Sequence, residues 1–265
     1  MGARLASVIA QSPPADVPVP SAVAVVAGHD RVRPVWRNES GGLTFELTGP
    51  AGRRFVKWAP VGSGLDLAAE VPRLRWAAAF TAVPRVLDTG TDETGTWLLT
   101  AGLPGDSAVA ARWLAEPRTA ATAIGYGLRA LHERLPVADC PFSWGAEERV
   151  AAVRAASEQD PAQWHRDHPG ALARLADLPP VDRLVVCHGD ACAPNTLLHD
   201  DGTFSGHVDL GALGVGDRWA DLAVATLSLD WNYGPGWQPT LLQAYGVEPD
   251  PVRIEYYRLL WDLDP

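Results

Sequence analysis

A change of pattern near residue 103 constrains the fold of this chain more than any other feature of its sequence. Before it, the strand-like segments VRPVWR, LTFELTG and RRFVKWA are separated by NESGG and GPAG, which contain the glycines and asparagine of tight turns. After it, RTAATAIGYGLRALHERL places Ile124, Leu128, Leu131 and Leu135 on one helical stripe. The sequence therefore predicts an α+β fold, with a small antiparallel β-rich N-lobe followed by a larger, mostly helical C-lobe.

The lobe boundary is predicted in the segment WLLTAGLPG, so that residues 29–103 form the N-lobe and residues 104–265 the C-lobe. Residues 1–28, rich in Pro, Ala and Val, are expected to be a tail or a loosely attached edge segment. In the N-lobe, DLAAEVPRLRWAAAF predicts a helix that starts or kinks at Pro72. In the C-lobe, further helices are predicted at AEERVAAVRAASE, DRWADLAVATLSL, PTLLQAYG and PVRIEYYRLLW, and short strands at LVVC, NTLLH and FSGHVDL.

Composition indicates a globular protein outside the membrane. No apolar run approaches the roughly 18 residues of a membrane span, and LASVIA is too short and too weakly preceded by charge for a secretory signal. We therefore expect a cytoplasmic protein. Its three cysteines, Cys140, Cys187 and Cys192, are scattered and show no paired-ligand spacing, which predicts reduced packing residues and neither a disulfide framework nor a zinc site.

Charge is distributed unevenly along the chain. Residues 1–103 carry ten basic and nine acidic side chains, a balance of +1, whereas residues 104–265 carry twelve basic and 23 acidic ones, a balance of −11. An acidic C-lobe makes nucleic acid and anionic membranes poor partners and would attract a polycationic small molecule. The alternative is an acidic surface that serves solubility alone.

Two polar motifs stand at the ends of short apolar runs. CHGDACAPN contains Asp190 and Asn195, and HVDLGALG places Asp209 fourteen residues after Asn195. Two carboxylates and an amide are hard oxygen ligands suited to Mg²⁺, with one carboxylate left to face an acceptor hydroxyl. Phosphoryl transfer requires that division of roles. An Asp-x-x-x-x-Asn pattern alone is common in turns, and the strand-borne Asp209 makes it more specific.

Lys57 and Glu70 supply a second part of this chemistry. The chain has 21 arginines and a single lysine, Lys57, on the third predicted strand, with Glu70 thirteen residues later in a predicted helix. Protein kinases pair a strand lysine with a helix glutamate in this order. The alternative is an edge lysine and an exposed acid.

The segments that are predicted to contact the nucleotide have less specific sequence motifs. NESGG is not a Gly-x-Gly-x-x-Gly loop, but its backbone amides and the Ser40 hydroxyl could face a phosphate. A plain hairpin turn remains the alternative. The connector TAGLPG would present backbone groups of Ala101 and Leu103 to an adenine edge.

These motifs resemble those of a known family. VVCHGDACAPNTLL, HVDLGALGVGDRWADLA, CPF, RFVK and YYRLLWDLD are similar to motifs of the aminoglycoside 3'-phosphotransferases, the antibiotic resistance kinases, in the same order and over residues 35–265. The resemblance implies a protein-kinase-like bilobal fold with ATP and Mg²⁺ as cofactors. The implied roles are a catalytic Asp190, magnesium ligands Asn195 and Asp209, phosphate contacts from Lys57 held by Glu70, and Ser40 at the phosphate end.

The resemblance also implies an acidic acceptor site. In the family, acids of the helical lobe and the C-terminus bind the amino groups of the drug, which charge-assisted hydrogen bonds explain. The candidates here are Glu158, Asp160, Asp262 and Asp264, with Asp167 beside them. The chain departs from the family at Ala212, where an arginine is usual, and in its ending WDLDP, where Trp261 takes the place of the first acid.

The function implied is ATP-dependent phosphorylation of an aminoglycoside hydroxyl, of the kanamycin or neomycin type, by a monomer or weak dimer. A kinase of another hydroxylated small molecule (a macrolide, an amino sugar or a metabolite) stays open, as does a catalytically silent nucleotide- or drug-binding protein. A protein kinase is disfavoured, because seven residues between Asp209 and Asp217 are too few for an activation segment. The sequence leaves open the acceptor, the hydroxyl phosphorylated and the choice between ATP and GTP.

Overall fold

The computed structural model describes residues 10–11, 13–14, 16–38 and 40–264. The chain divides into two compact units, and the division falls between Leu103 and Pro104, where the sequence places the lobe boundary. No helix in these residues is long and apolar enough to cross a membrane.

The N-terminal unit is built on one six-stranded antiparallel sheet. Its elements are β1 (Ala10–Gln11), α1 (Ser21–Ala27), β2 (Arg31–Asn38), β3 (Leu43–Gly49), β4 (Gly52–Pro60), α2 (Leu67–Ala77), β5 (Val86–Thr91) and β6 (Gly95–Ala101). The strand order β1-β2-β3-β4-β6-β5 contains the predicted meander as β2, β3 and β4. β5 has no counterpart among the strands predicted from the sequence.

One face of this sheet is covered by α1. Phe45, Leu47 and Val56 are fully buried and form one hydrophobic cluster with Val23 and Ala27 of α1. Because side chains alternate along a strand, Lys57 lies on the opposite face from Val56.

The prediction of a tail over residues 1–28 is wrong for residues 21–27. Val23 is fully buried in the core of the N-terminal unit, so that α1 is an integral element rather than a loose attachment. β1 pairs with β2 at the edge of the sheet, in agreement with the edge-segment alternative. Residues 1–9 lie outside the described residues.

Of the two roles predicted for Pro72, the start of a helix and a kink inside one, the structure excludes the first. The helix begins at Leu67 because the Asp66 side chain caps it, accepting a hydrogen bond from the Ala69 backbone nitrogen at 3.1 Å. Pro72 therefore lies inside the helix and does not start it. Since proline has no N–H, the bond to the Ala68 carbonyl is missing from this turn.

The C-terminal unit is mostly helical. Its elements are β7 (Asp106–Ser107), α3 (Ala111–Leu114), α4 (Pro117–Arg134), α5 (Ala146–Ser157), α6 (Pro161–Asp167), α7 (Ala171–Ala176), β8 (Leu184–Cys187), β9 (Thr196–Leu198), β10 (Phe204–His207), β11 (Gly214–Asp217), α8 (Trp219–Tyr233), α9 (Gln238–Tyr245) and α10 (Pro251–Leu263). Two short 3-10 turns span Val137–Asp139 and Ala193–Asn195. The strands form two small sheets, ordered β10-β9-β7 and β11-β8.

The helix α8 lies in the core of the C-terminal unit. Every residue from Trp219 to Thr226 is buried, as expected for a helix that is apolar on all sides. The predicted stripe of α4 is buried as well, including Ile124 and Leu128. All three cysteines are free, and Cys187 is fully buried in this core. A helix packed on every side is a rigid support for the loops that it contacts.

Candidate active site

The loop after β8 carries the first two predicted site residues. The strand ends at Cys187, Asp190 follows three residues later, and Asn195 closes the 3-10 turn that leads into β9. The Asn195 amide nitrogen donates to the Asp190 backbone oxygen at 2.9 Å and to its Oδ2 at 3.0 Å. The spacing of five residues thus brings the acid and the amide into direct contact.

Asp209 belongs to the neighbouring loop. It follows β10, which pairs antiparallel with β9, and the Val208 backbone nitrogen donates to the Asn195 backbone oxygen at 3.0 Å. Among the described residues Asp209 is the one non-glycine with a positive φ, 65°. Such a backbone conformation costs on the order of 1 kcal/mol or more and is concentrated at functional sites.

The two carboxylates influence each other. Burial and, after it, the negative charge of Asp209 raise the pKa of Asp190. The Asp190 Oδ1 atom is buried and accepts no hydrogen bond within the described part of the chain. A buried, unsatisfied oxygen beside a like charge is costly, and a cation or a donor hydroxyl would relieve that cost.

These residues fit Mg²⁺. The amide nitrogen of Asn195 is engaged by Asp190, which leaves its Oδ1 as the atom able to face a metal. Together with a carboxylate oxygen of Asp209 it forms a hard oxygen donor set. The repulsion between Asp190 and Asp209 is what a nearby divalent cation would neutralise.

Asp221 of α8 forms hydrogen bonds with the start of the loop that carries Asp190. Its fully buried carboxylate accepts hydrogen bonds from the backbone nitrogens of His188 at 2.6 Å and Gly189 at 3.0 Å. It also lies 2.9 Å from Nε2 of His132, whose Nδ1 is 2.9 Å from the Tyr245 hydroxyl. Burial is the largest single influence and by itself would raise the pKa of Asp221, but the hydrogen bond from His132 and the further interactions with His132 and His188 together outweigh it, and the pKa is lowered. The carboxylate is therefore held in its charged form.

Sequence reasoning missed this network. The available signal was an acid in the middle of the apolar helix segment DRWADLAVATLSL, because such an acid must be paired. The ligand atoms of His132, Cys187 and Asp221 lie within 4.8 Å of one another. His132 and Asp221 are already bonded to each other, and burial raises the pKa of the Cys187 thiol, so this group is a structural hydrogen-bond cluster rather than a metal centre.

A second contact from α8 holds the far end of the loop. Ser228 Oγ accepts from the Ala193 backbone nitrogen at 2.9 Å, and the Asn232 amide donates to the Ser228 backbone oxygen at 2.7 Å. At the near end, Gly189 has φ 89° and a Cβ there would lie 2.3 Å from the Ala212 carbonyl oxygen. The loop of Asp190 and the loop after Asp209 are therefore packed against each other at a position that only glycine can occupy.

In the N-terminal unit, Lys57 and Glu70 form the predicted ion pair. The Lys57 ammonium nitrogen lies 2.6 Å from Glu70 Oε2, and the Glu70 side chain is only 4% exposed. Lys57 stands in the middle of β4, opposite Thr44 on β3 and Leu98 on β6. A central strand and a capped helix fix the two ends of this pair.

The turn between β2 and β3 is closed by Asn38. Gly41 donates its backbone N–H to the Asn38 carbonyl at 3.2 Å, and Gly42 donates to Asn38 Oδ1 at 2.7 Å. In this conformation the backbone amides of Gly41 and Gly42 are engaged by Asn38, as in the plain hairpin turn given as the alternative, and the contact with a phosphate stays a prediction. Ser40 is exposed at its tip.

Ala101 and Leu103, which are predicted to face an adenine edge, lie at the end of β6 and in the connector after it. The Ala101 backbone N–H donates to the Arg85 carbonyl at 2.9 Å, so that its carbonyl oxygen is the backbone group left to face a base. Leu103 is half-buried at the end of the N-terminal unit.

The predicted acceptor-site acids separate into three groups. Asp167 and Asp262 line one cavity of about 880 Å³ in the C-terminal unit. Asp264 instead accepts a hydrogen bond from Arg149 Nε at 2.7 Å, and this contradicts its assignment as a ligand for the substrate: a buried guanidinium already neutralises it.

Glu158 and Asp160 are exposed and do not line that cavity. Asp160 caps α6 by accepting from the Gln163 backbone nitrogen at 3.0 Å. Its carboxylate therefore has a structural role at the start of that helix.

Comparisons with known proteins agree with this chemistry. A family model described as APH, the phosphotransferase enzyme family, matches residues 31–257. An aminoglycoside 3'-phosphotransferase of Streptomyces fradiae is 36% identical over 258 residues, which cover 88% of this chain and 94% of the relative. The chain therefore belongs to the phosphotransferase enzyme family, and the prediction that it is a kinase-type enzyme is confirmed.

Solved structures show the same relationship. An aminoglycoside-3'-phosphotransferase of type VIII matches with a TM-score of 0.73 and 31% identity over 88% of this chain and 93% of that one. The aminoglycoside phosphotransferase APH(3'')-Id from Streptomyces rimosus, in complex with ADP and streptomycin, matches with a TM-score of 0.68 and 29% identity over 91% and 95% of the two chains. The predicted protein-kinase-like α+β fold is thus confirmed.

Proposed function

We propose that the protein transfers the γ-phosphoryl group of ATP to a hydroxyl of an aminoglycoside and thereby confers resistance to the antibiotic. The observation that carries the proposal is the contact of Asp190 with Asn195, beside the positive-φ Asp209, in a member of the phosphotransferase family. The names of the relatives, an aminoglycoside 3'-phosphotransferase and an enzyme crystallised with ADP and streptomycin, support the choice of substrate.

In the proposed reaction, Asp190 orients the acceptor hydroxyl and accepts its proton. The hydroxyl oxygen bonds to the γ-phosphorus as the bond between that phosphorus and the β-phosphate oxygen breaks, and ADP leaves. Asp190 suits this role because its Oδ1 has no hydrogen-bond donor in the described residues, and a hydroxyl would supply one. Bound at Asn195 Oδ1 and Asp209, Mg²⁺ would supply positive charge to the phosphate oxygens.

The nucleotide is assigned to groups of the N-terminal unit. Lys57, held by Glu70, contacts the phosphates, and the Ser40 hydroxyl caps their end. The Ala101 carbonyl oxygen and the Leu103 backbone N–H face the adenine edge. For the acceptor, we propose ammonium contacts with Asp167 and Asp262, which share a cavity. A cytoplasmic location, where ATP is available, and a monomer or weak dimer complete the proposal.

The test is ADP release with Mg-ATP in the presence of kanamycin, neomycin, ribostamycin, streptomycin, a macrolide or simple amino sugars, with mass spectrometry of the products. We expect one phosphoryl group to be added to at least one aminoglycoside. Asp190→Asn should lower the rate roughly 100-fold or more, because general-base contributions have that size. Asp200→Asn, at a side chain 94% exposed, is the matched control. Turnover by Asp190→Asn at the normal rate would contradict the assignment of this residue.

A second candidate is a kinase of another hydroxylated small molecule. It is favoured by the C-terminal segment, where Trp261 stands at one expected acid and Arg149 neutralises Asp264. Phosphorylation of the macrolide or of a simple amino sugar, without any aminoglycoside product, would select this candidate.

A further inference from the structure

Two tryptophans meet beside the cavity that contains Asp262. The ring centroids of Trp231 on α8 and Trp261 on α10 are 5.6 Å apart, with their planes inclined at 45°. Trp231 lines the cavity and is 45% exposed, which is unusual for a side chain of that size. An indole face that is kept open to a cavity can contact a ligand.

The charges around this cavity leave a negative excess. Arg174 pairs with Glu255 at 2.7 Å. Arg258 is held by the Thr226 hydroxyl at 2.9 Å and by the Ala223 carbonyl at 3.3 Å. Asp262 has neither an ion pair nor a hydrogen bond with another side chain in the part of the chain that the structure describes. The cavity therefore offers an unneutralised carboxylate next to an aromatic pair, a combination that attracts cations.

The helix α8 connects this cavity to the loop of Asp190. Ser228 holds that loop, whereas Leu227, the residue before it, and Trp231, three residues after it, line the cavity. Neighbouring positions on a helix are 1.5 Å apart along its axis and about 100° apart around it. The cavity and the proposed general base thus share one rigid support.

We propose that Trp231 and Trp261 form an aromatic wall of the acceptor site and determine its specificity, by binding a positively charged amino-sugar ring whose cationic group also faces Asp262. The inference rests on the proposed function and deepens it. Replacing an expected acid by Trp261 removes one ammonium ligand and adds an aromatic face. The preferred acceptor therefore presents one cation and an apolar ring face to this wall, instead of several ammonium groups.

The test is steady-state kinetics of Trp231→Ala, Trp261→Ala and Trp231→Phe, with acceptors that differ in their cationic groups, among them kanamycin and streptomycin. We expect the two alanine variants to raise the KM of the preferred acceptor about tenfold, with kcat and the KM of ATP within about threefold of the parent. Trp231→Phe keeps an aromatic face and should restore most of the affinity. Tyr126→Ala, at an aromatic side chain of α4 that is 56% exposed and outside the cavity, is the control.

The outcomes separate this inference from the proposed function. If the parent protein turns over aminoglycosides and the KM of every acceptor is unchanged in Trp231→Ala and Trp261→Ala, the aromatic wall is refuted and the proposed function stands. If no acceptor supports turnover, the Kd of each acceptor is measured by calorimetry for the parent protein and for Trp231→Ala. If no acceptor binds, or if the two proteins bind the acceptors with equal Kd, the inference is overturned as well. A change in oligomeric state of Trp231→Ala, without an effect on the acceptor, would identify a protein-contact surface and also refute it.

Discussion

The carboxylate of Asp221 lies 2.6 Å from the backbone nitrogen of His188, and this bond fixes the start of the loop that carries Asp190 to the central helix. The same carboxylate accepts from Gly189 and is bonded to His132. It is fully buried, so each of these hydrogen bonds forms where water cannot replace it.

Asp221→Asn should lower both stability and turnover. The asparagine side chain has nearly the shape of the aspartate side chain, but an NH2 donor replaces one of its two acceptor oxygens. That donor would then face an N–H group of the network. We expect the free energy of unfolding to fall by about 3 kcal/mol and kcat to fall at least about tenfold, as measured by urea denaturation and ADP release. Asp200→Asn should change neither. An Asp221→Asn protein with unchanged stability would show that the network has no structural role.

Glu70→Gln should weaken nucleotide binding and leave acceptor binding unchanged. Removing the negative charge that lies 2.6 Å from the Lys57 ammonium weakens an ion pair that holds that lysine in its rotamer. We expect the Kd of ATP, from calorimetry, to rise by about tenfold or more, which corresponds to the roughly 1.4 kcal/mol of a partly buried charged pair. Glu93→Gln, at an exposed loop position of the same unit, is the control. An unchanged Kd would remove Glu70 from the nucleotide site.

Buried His207 should make the stability pH-dependent. Burial, followed by the neighbouring His188, lowers the pKa of His207 to about 3. In the unfolded chain the pKa is near 6.5, so between about pH 6.5 and 3 the unfolded state binds more protons and stability falls as pH falls. One such group contributes at most about 1.4 kcal/mol per pH unit. His207→Phe should flatten the slope in urea titrations between pH 6.5 and 5, whereas exposed His29→Gln should leave it unchanged.

Asp264→Asn and Asp262→Asn should have opposite consequences. Asp264 neutralises the buried Arg149, so its amide variant should lose about 2 kcal/mol of stability and keep the acceptor KM within twofold. Asp262 lines the cavity, so its amide variant should raise the acceptor KM and leave the melting temperature unchanged within 2 °C. A larger effect of Asp264→Asn on the acceptor KM would return that residue to the acceptor site.

Much of the site could be predicted from local pattern. Asp190 and Asn195 are five residues apart on one loop, and β9 and β10, which lead to Asp209, are joined by a short hairpin connection. The Lys57–Glu70 pair spans thirteen residues from a central strand to the next helix. In each case the chain between the two residues is short, so the order of strands and helices largely determines which side chains come into contact.

The contacts that escaped prediction join distant parts of the chain. His132 meets Asp221 across 89 residues, and Arg149 meets Asp264 across 115. No periodicity encodes such pairs, since they depend on how helices pack and not on how each one forms. α1 was missed for a related reason: its burial depends on a sheet that follows it in the sequence.

Neighbouring residues of α8 have two different roles, one in holding a loop and one in lining a cavity. Asp221 and Ser228 hold the loop of Asp190, whereas Leu227 and Trp231 face the cavity. Substitutions at the second set can change the shape and polarity of the cavity while the first set keeps its hydrogen bonds. An enzyme built in this way can acquire new acceptors through single mutations, without first losing its capacity to transfer phosphate.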